Sequence, residues 1–186
     1  MSDNIYHITF YGIVPDHWTV TFGSFADHSY ILVEDYLSDG IDSTPSSWAT
    51  IGEPLKFIYP QHLKKTYFIE GVAQGQLTYT SSGSDGYVKA YRVTICKVNT
   101  DTTETELFST GWVTVNKTID WDSSNSIGDE IVFPFWIDCW EHAKLEENDR
   151  IYVKIETDTD GNSYTKIYHS NDANWEDFKI DIPFRW

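Results

Sequence analysis

The sequence predicts an all-β protein, an antiparallel β-sandwich, and two observations support that prediction. Apolar and polar residues alternate along most of the chain, and no long stripe with the helical period appears. Turn-rich stretches such as residues 81–86 and 99–105 separate the alternating runs. Alternating runs of this length with such turns between them give an antiparallel sandwich or barrel.

The clearest strand lies at the carboxyl terminus. Phe178, Ile180, Ile182, Phe184 and Trp186 alternate with polar residues and a proline. A strand with one buried and one solvated face has this pattern. We therefore expect residues 178–186 to close the sandwich.

Residues 150–169 predict a β-hairpin. Residues 158–162, Asp-Thr-Asp-Gly-Asn, tolerate a positive φ and suit its turn. With Asp160 near the centre of the turn, Val153 would lie opposite Ile167, and Ile155 opposite Thr165. This register brings apolar groups together on one face.

A second long strand is predicted upstream, over residues 131–140. Pro134 cannot donate to a ladder, so this strand lies at an edge or carries a bulge. If its phenylalanines face the core, Trp136, Asp138 and Trp140 face outward, with the two tryptophans about 13 Å apart. An outward tryptophan pair suits a protein interface or sugar stacking, unless the amino-terminal residues cover it.

The remaining chain predicts shorter elements. Two glycines, Gly71 and Gly75, indicate a bend or bulge within the strand at residues 67–79. Residues 141–148 are the one helical candidate, with one or two turns. Further strands are predicted at residues 5–13, 17–22, 30–37, 87–98, 107–108 and 112–119.

The chain divides into two predicted segments. Residues 1–51 form an amino-terminal strand block or arm with its linker, and residues 52–186 form the sandwich domain. The linker assignment rests on residues 38–54, which are rich in glycine, proline and serine. The first segment either completes the sandwich or reaches a neighbouring subunit as an exchanged arm.

The net charge of the chain argues against one class of function. Lys and Arg total 13 against 29 Asp and Glu, so the formal net charge is −16. That balance argues against nucleic-acid binding, which depends on cations that displace counterions from phosphates. No apolar run approaches the ~20 residues of a membrane span. The first residues lack the basic and apolar regions of a secretory signal, so we expect synthesis in the cytoplasm.

Motifs for catalysis and cofactors are absent from the sequence. It has no GxSxG elbow, no glycine-rich phosphate loop and no HExxH, and Cys96 and Cys139 are expected to be buried thiols. We therefore predict no enzyme activity and no cofactor, and a hydrolase that uses two of the many carboxylates is the least favoured alternative. Asp158, Asp160 and Asn162 resemble part of a calcium loop without its closing Glu, and they remain a weak alternative metal site.

The last 60 residues carry a resemblance at the level of pattern. Residues 145–153, Leu-Glu-Glu-Asn-Asp-Arg-Ile-Tyr-Val, resemble the loop-to-strand entry of jelly-roll sandwiches. As in those domains, a long apolar strand precedes it at residues 131–139, and an alternating strand closes the chain. With its many aromatic residues and arm-like amino terminus, the chain most resembles jelly-roll structural proteins of viruses and tailed phages.

That resemblance implies a non-enzymatic virion subunit, located in a capsid, a decoration or a tail fibre. Its partners would be copies of itself or other virion subunits, with no nucleic acid and no membrane. The alternative is a carbohydrate-binding module or receptor-binding head, in which a glycan stacks on Trp136, Trp140 and Trp121. Asp138 lies between the first two and belongs to the same candidate surface.

Overall fold

Extended segments form the regular structure of this chain. The computed structural model describes residues 5–13, 31–34, 48–50, 54–168 and 178–185. Over these residues it contains β-strands and no α-helix. The strands are β1 (Tyr6–Ile13), β2 (Ile31–Val33), β3 (Trp48–Thr50), β4 (Leu55–Ile58), β5 (Tyr67–Ile69), β6 (Val72–Ser81), β7 (Gly86–Val98), β8 (Glu104–Ser109), β9 (Val113–Ile119), β10 (Trp121–Asp122), β11 (Ile127–Gly128), β12 (Ile131–Asp138), β13 (Ala143–Leu145), β14 (Arg150–Asp158), β15 (Thr165–Tyr168) and β16 (Lys179–Arg185).

The strands pair into the two layers of an antiparallel β-sandwich, as predicted. One layer runs in the order β12-β6-β16-β1. The other runs β4-β14-β7, with β8 and β9 along the far edge of β7. β2 joins the layers, because it pairs antiparallel with β1 and forms a parallel bridge to β4. The finer jelly-roll assignment stays a prediction.

The predicted alternation places the core between these layers. On β12, Phe135 and Ile137 are buried while Trp136 between them is exposed. Four of the apolar residues predicted to face the core at the carboxyl terminus are buried: Phe178, Ile180, Ile182 and Phe184. The fifth, Trp186, lies outside the described residues. Non-polar burial on one face of each strand is the main stabilising term of such a sandwich.

Pro134 lies on an edge strand, as its missing donor predicts. Among the described residues, β12 pairs with β6 alone. The Pro134 carbonyl accepts a hydrogen bond from the buried Tyr91 hydroxyl of the opposite layer at 3.3 Å. Tyr91 therefore covers part of an edge that would otherwise present unpaired backbone groups.

The predicted hairpin at residues 150–169 is wrong. β14 does not pair with β15; Val153 lies opposite Phe57 and Ile95, and Ile167 opposite Tyr79. The turn instead carries the chain from one layer to the other. β14 finds nine paired positions on β7, Ala90 to Val98, which a short hairpin partner could not supply.

Two other local predictions need correction. The helical candidate at residues 141–148 contains the strand β13, which pairs with β5. The strand predicted at residues 67–79 is split into β5 and β6 at Gly71, whose φ of 124° favours glycine. That break is the bend that the glycines indicated.

The described part of the amino-terminal segment lies within the sandwich. β1 pairs with the closing strand β16 from Tyr6–Phe184 to Tyr11–Lys179. The predicted strand at residues 17–22 lies outside the described residues. No helix in the described part of the chain has the length and apolar character needed to cross a bilayer.

Candidate functional site

Three of the predicted binding residues lie on or just after β12. Trp136 is 67% exposed and Trp140 is 65% exposed. Asp138, at the end of β12, is also exposed, and Trp140 lies in the turn that follows. The described strands thus leave both indole rings open to solvent.

Trp121 lies apart from them. It belongs to β10, which pairs with β11 in a separate two-stranded sheet. Its backbone N–H donates to the Asp85 carboxylate at 2.8 Å, and the residue is half-buried. Trp121 therefore does not share a surface with the other three, and Trp136 lines a cleft.

That cleft opens on the outer face of the β12-β6-β16-β1 layer and has a volume of about 410 Å³. We call it the outer-face cleft. Because alternate residues of a strand share a face, the register aligns its outward side chains in two rows. One row holds Trp136, Gln74, Asp181 and Thr9, and the next holds Pro134, Gln76, Lys179 and Tyr11.

Asp181 is the acidic group of the outer-face cleft. Its Oδ2 accepts a hydrogen bond from Nδ1–H of the exposed His7 at 3.0 Å. Its Oδ1 is shielded from water and has no hydrogen-bond partner among the described residues. The side chain as a whole is 21% exposed, so this exposure belongs to its other atoms. A shielded and unsatisfied carboxylate oxygen raises the local negative potential.

A second cavity, of about 470 Å³, lies beside the loop that follows β4, and we call it the loop pocket. Its floor is apolar and comes from both layers. The buried residues of that floor are Phe10, Leu32, Ile151 and Phe184. Tyr59 forms one wall, with its ring edge-on to Phe10 at a centroid distance of 5.4 Å.

Backbone hydrogen bonds hold the loop wall in place. The N–H of Tyr59 donates to the Ile151 carbonyl at 2.8 Å, and the N–H of Leu63 donates to the Asp149 carbonyl at 2.9 Å. The N–H of Asn148 returns a bond to the Leu63 carbonyl at 2.8 Å. The wall is therefore formed before any ligand arrives, which lowers the entropic cost of binding.

A phenol and a carboxylate meet at the rim of the loop pocket. The Tyr59 hydroxyl donates to the Glu34 carboxylate. Burial raises the pKa of Tyr59 well above its ordinary value, and the neighbouring Glu34 raises it further. The phenol therefore stays protonated and acts as a donor at every physiological pH.

His62 lines the same rim with both ring nitrogens engaged. The Asn148 carbonyl lies 2.8 Å from Nδ1, and the Arg150 guanidinium contacts Nε2. Because a carbonyl only accepts and a guanidinium only donates, the ring is neutral with its proton on Nδ1. Burial lowers the pKa of Arg150 without neutralising it.

The alternative metal residues lie at the turn after β14. Asp158 accepts the backbone N–H of Asp160 at 2.9 Å, and the Lys89 ammonium lies 3.3 Å from Asp158 and 3.6 Å from Asp160. The Asn162 carboxamide caps the far side of the turn by accepting the N–H of Tyr164 at 2.9 Å. These contacts stabilise the turn with a cation that the chain itself supplies.

Both cysteines are buried free thiols, as the sequence predicted. Burial raises the pKa of Cys96 to about 11 and that of Cys139 to about 11. Neither thiol lines the outer-face cleft or the loop pocket. Neither is therefore a candidate nucleophile in them.

Comparison with known proteins gives likeness of fold alone. No protein-family model matches the chain, and no curated protein matches it in sequence. Two solved structures of a CocE/NonD family hydrolase from Staphylococcus aureus match with a TM-score of 0.52, at 11% and 10% identity. They cover 98% and 97% of this chain but 37% of the hydrolase. An aminopeptidase from a marine sediment archaeon, Thaumarchaeota archaeon, matches with a TM-score of 0.50 at 12% identity, over 99% of this chain and 33% of that one.

These matches contradict two predictions. The prediction of a virion structural subunit is contradicted, because the three matching structures described above are named as a hydrolase and an aminopeptidase. The prediction that the chain is not an enzyme is contradicted by the same names. The carbohydrate-binding or receptor-binding alternative gains no support from these chains. This chain spans about a third of the length of each of these proteins.

The sequence missed both cavities for a physical reason. Tyr59 and Glu34, like His62 and Arg150, come from separate segments whose contact depends on strand pairing. Spacing along the chain carries no sign of such contacts. One signal was available for the outer-face cleft, because β16 places polar side chains at alternate positions, but its neighbours in the sheet were unknown.

Proposed function

We propose that this chain is the β-sandwich part of a hydrolase and that its loop pocket binds the substrate. The observation that carries the proposal is the pocket itself, which joins a buried apolar floor to a rim of fixed polar groups. Small-molecule sites typically have this composition. The likeness of fold to a hydrolase and an aminopeptidase supports the reaction class.

The pocket's chemistry suits a small ester or amide with an apolar group. Phe10 and Phe184 offer a surface for the apolar group, and burying it there is favourable by about 25 cal/mol per Å². A substrate carbonyl that enters at the rim would take over the single Tyr59 O–H donor, which Glu34 holds in the free protein. Glu34 beside it accepts protons and is exposed to the water that hydrolysis consumes.

The described lining of the loop pocket includes no Ser, Thr or Cys. Within this lining, water is therefore the nucleophile available, and Glu34 is the group placed to accept its proton. Lys64 lines the same rim, where its positive charge stabilises the oxyanion that forms on the carbonyl oxygen.

The test uses the full chain with two chromogenic substrates, p-nitrophenyl butyrate and L-alanine p-nitroanilide. We expect saturable release of the chromophore from at least one of them. Ile8, half-buried, lines the loop pocket, so Ile8→Trp fills the cavity and abolishes saturation. Ile5→Trp is the matched control, because Ile5 is 42% exposed and lies outside the pocket lining.

The outcomes separate binding from catalysis. Equal loss in both tryptophan variants, or no interaction with either substrate, would overturn the proposal. Saturable binding without cleavage would retain the pocket and reject the hydrolase assignment. Tyr59→Phe removes one hydroxyl with little change in volume, so it keeps the test interpretable if Ile8→Trp fails to fold.

A further inference from the structure

The outer-face cleft holds two opposite charges that do not neutralise each other. Asp181 and Lys179 are two positions apart on β16, on the same face, and both line the cleft. Among the described contacts, Lys179 makes no ion pair, and Asp181 pairs only with the exposed His7. The Cα atoms of two residues at such positions lie about 7 Å apart. The cleft thus offers a separate anchor for a positive and for a negative group.

We propose that this cleft binds a dipeptide with both termini free. The ammonium contacts the Asp181 carboxylate, where it replaces the exposed His7 ring, and the carboxylate contacts the Lys179 ammonium. An extended chain advances at most about 3.3–3.6 Å per residue, so the two ends of a dipeptide are about 7 Å apart. That length matches the Cα spacing of Asp181 and Lys179.

The centre of the cleft complements a peptide group. Gln74 lies directly opposite Asp181, and Gln76 lies directly opposite Lys179, on the neighbouring strand β6. A carboxamide donates and accepts, as a peptide group does, so the Gln74 carboxamide suits the N–H or the C=O of a single peptide bond. Gln74 is exposed and lines the cleft.

Trp136 selects the first side chain of the ligand. Gln74 lies between Trp136 and Asp181 in their row. The tryptophan is therefore two strand spacings, about 10 Å, from Asp181. Side chains of an extended peptide project across the direction of its backbone. The side chain of the residue that carries the ammonium therefore projects over Gln74 toward the indole, and an aromatic or large aliphatic residue fits best.

The charge of the protein favours the ammonium and requires the lysine. A net charge of −16 attracts a cation to the cleft and repels an unneutralised carboxylate. Lys179 offsets that repulsion at one point. A longer peptide carries its carboxylate beyond this point, and a capped peptide lacks one of the two charges.

Isothermal titration calorimetry with Phe-Ala tests the proposal on the full chain. We expect Phe-Ala to bind at millimolar or lower concentration. Acetylating its amino group, amidating its carboxylate or extending it to Phe-Ala-Ala-Ala should each weaken binding by about tenfold or more, since each removes a charge-assisted contact. Absence of Phe-Ala binding, or equal binding of the acetylated form, overturns the proposal.

Single-residue variants test which side chain makes each proposed contact with the dipeptide. Asp181→Asn should strongly weaken the binding of Phe-Ala but leave the weak binding of acetyl-Phe-Ala unchanged. Lys179→Met should also strongly weaken the binding of Phe-Ala but leave the weak binding of its amidated form unchanged. Trp136→Ala should weaken the binding of Phe-Ala. Trp140→Ala should not, because Trp140 is about as exposed but does not line the cleft. Equal effects of the two tryptophan variants would overturn the assignment.

The result is independent of the loop pocket. Ile8→Trp should leave Phe-Ala binding intact, because Ile8 does not line the outer-face cleft. Loss of ester or anilide turnover with retained Phe-Ala binding would reject the proposed function alone. Retained turnover without Phe-Ala binding would reject this inference alone.

Discussion

Replacing Gly75 with alanine should be among the most damaging small changes in this chain. Gly75 lies in β6, where β12 pairs on one side and β16 on the other, opposite Phe135 and Ile180. A Cβ at this position would lie 2.3 Å from the Lys179 carbonyl oxygen, 2.6 Å from Phe135 Cζ and 3.0 Å from Ile180 Cα. Two of these atoms are backbone, so no rotation of a side chain relieves the contact.

The magnitude follows from that geometry. An ordinary contact needs about 3.5 Å, so β16 would have to move by about 1 Å. Overpacking costs about 1–3 kcal/mol, and a rigid backbone neighbour favours the upper end, about 3 kcal/mol. For a chain of this size each kcal/mol lowers Tm by about 2–4 °C, so we expect Gly75→Ala to lower Tm by about 6–12 °C.

Thermal unfolding followed by circular dichroism measures this effect. The control is Gly111→Ala, where a Cβ meets nothing within 4 Å and the φ of 65° is the only penalty. That left-handed conformation costs about 1 kcal/mol, equivalent to a fall in Tm of about 3 °C. If Gly75→Ala were no more destabilising than Gly111→Ala, the close packing of β6 against β16 would be refuted.

Two further predictions concern buried groups. Because folding raises the pKa of Cys96 to about 11, the free energy of unfolding should be insensitive to this thiol below about pH 8 and should fall between about pH 9 and 11, as the unfolded thiol ionises first. Denaturant titrations of wild type and Cys96→Ala across that range check the sign, and a steeper fall in the variant would contradict it. The Asp149 carboxylate is buried and accepts from Lys97 Nζ at 3.2 Å and from the Glu146 N–H at 2.8 Å. Asp149→Ala should therefore lower the free energy of unfolding in urea by about 2–3 kcal/mol, against less than about 0.5 kcal/mol for the exposed Glu147→Ala, and equal effects would contradict this role.

Local pattern and long-range pairing differ in what they reveal here. The alternation on β12 and β16 placed Phe135 and Ile180 in the core and Trp136 outside, because each side chain's face depends only on its neighbours along the strand. The prediction of a hairpin at residues 150–169 was wrong because any strand with an apolar face can pair with β14 and extend the same buried face. β14 took β7, which offers a longer ladder than β15 does.

The sequence by itself predicted an all-β sandwich and buried thiols, limited Pro134 to an edge strand or a bulge, and placed Trp136 on the face of its strand opposite the phenylalanines. Each depends on residue type and on a period of two, which are properties of the chain alone. Only the tertiary structure decided which strands are neighbours, and so brought Tyr59 to Glu34, His62 to Arg150, and Trp136 into one row with Asp181. Many pairings bury similar apolar area, and the choice among them depends on the packing of the whole sandwich rather than on any single segment.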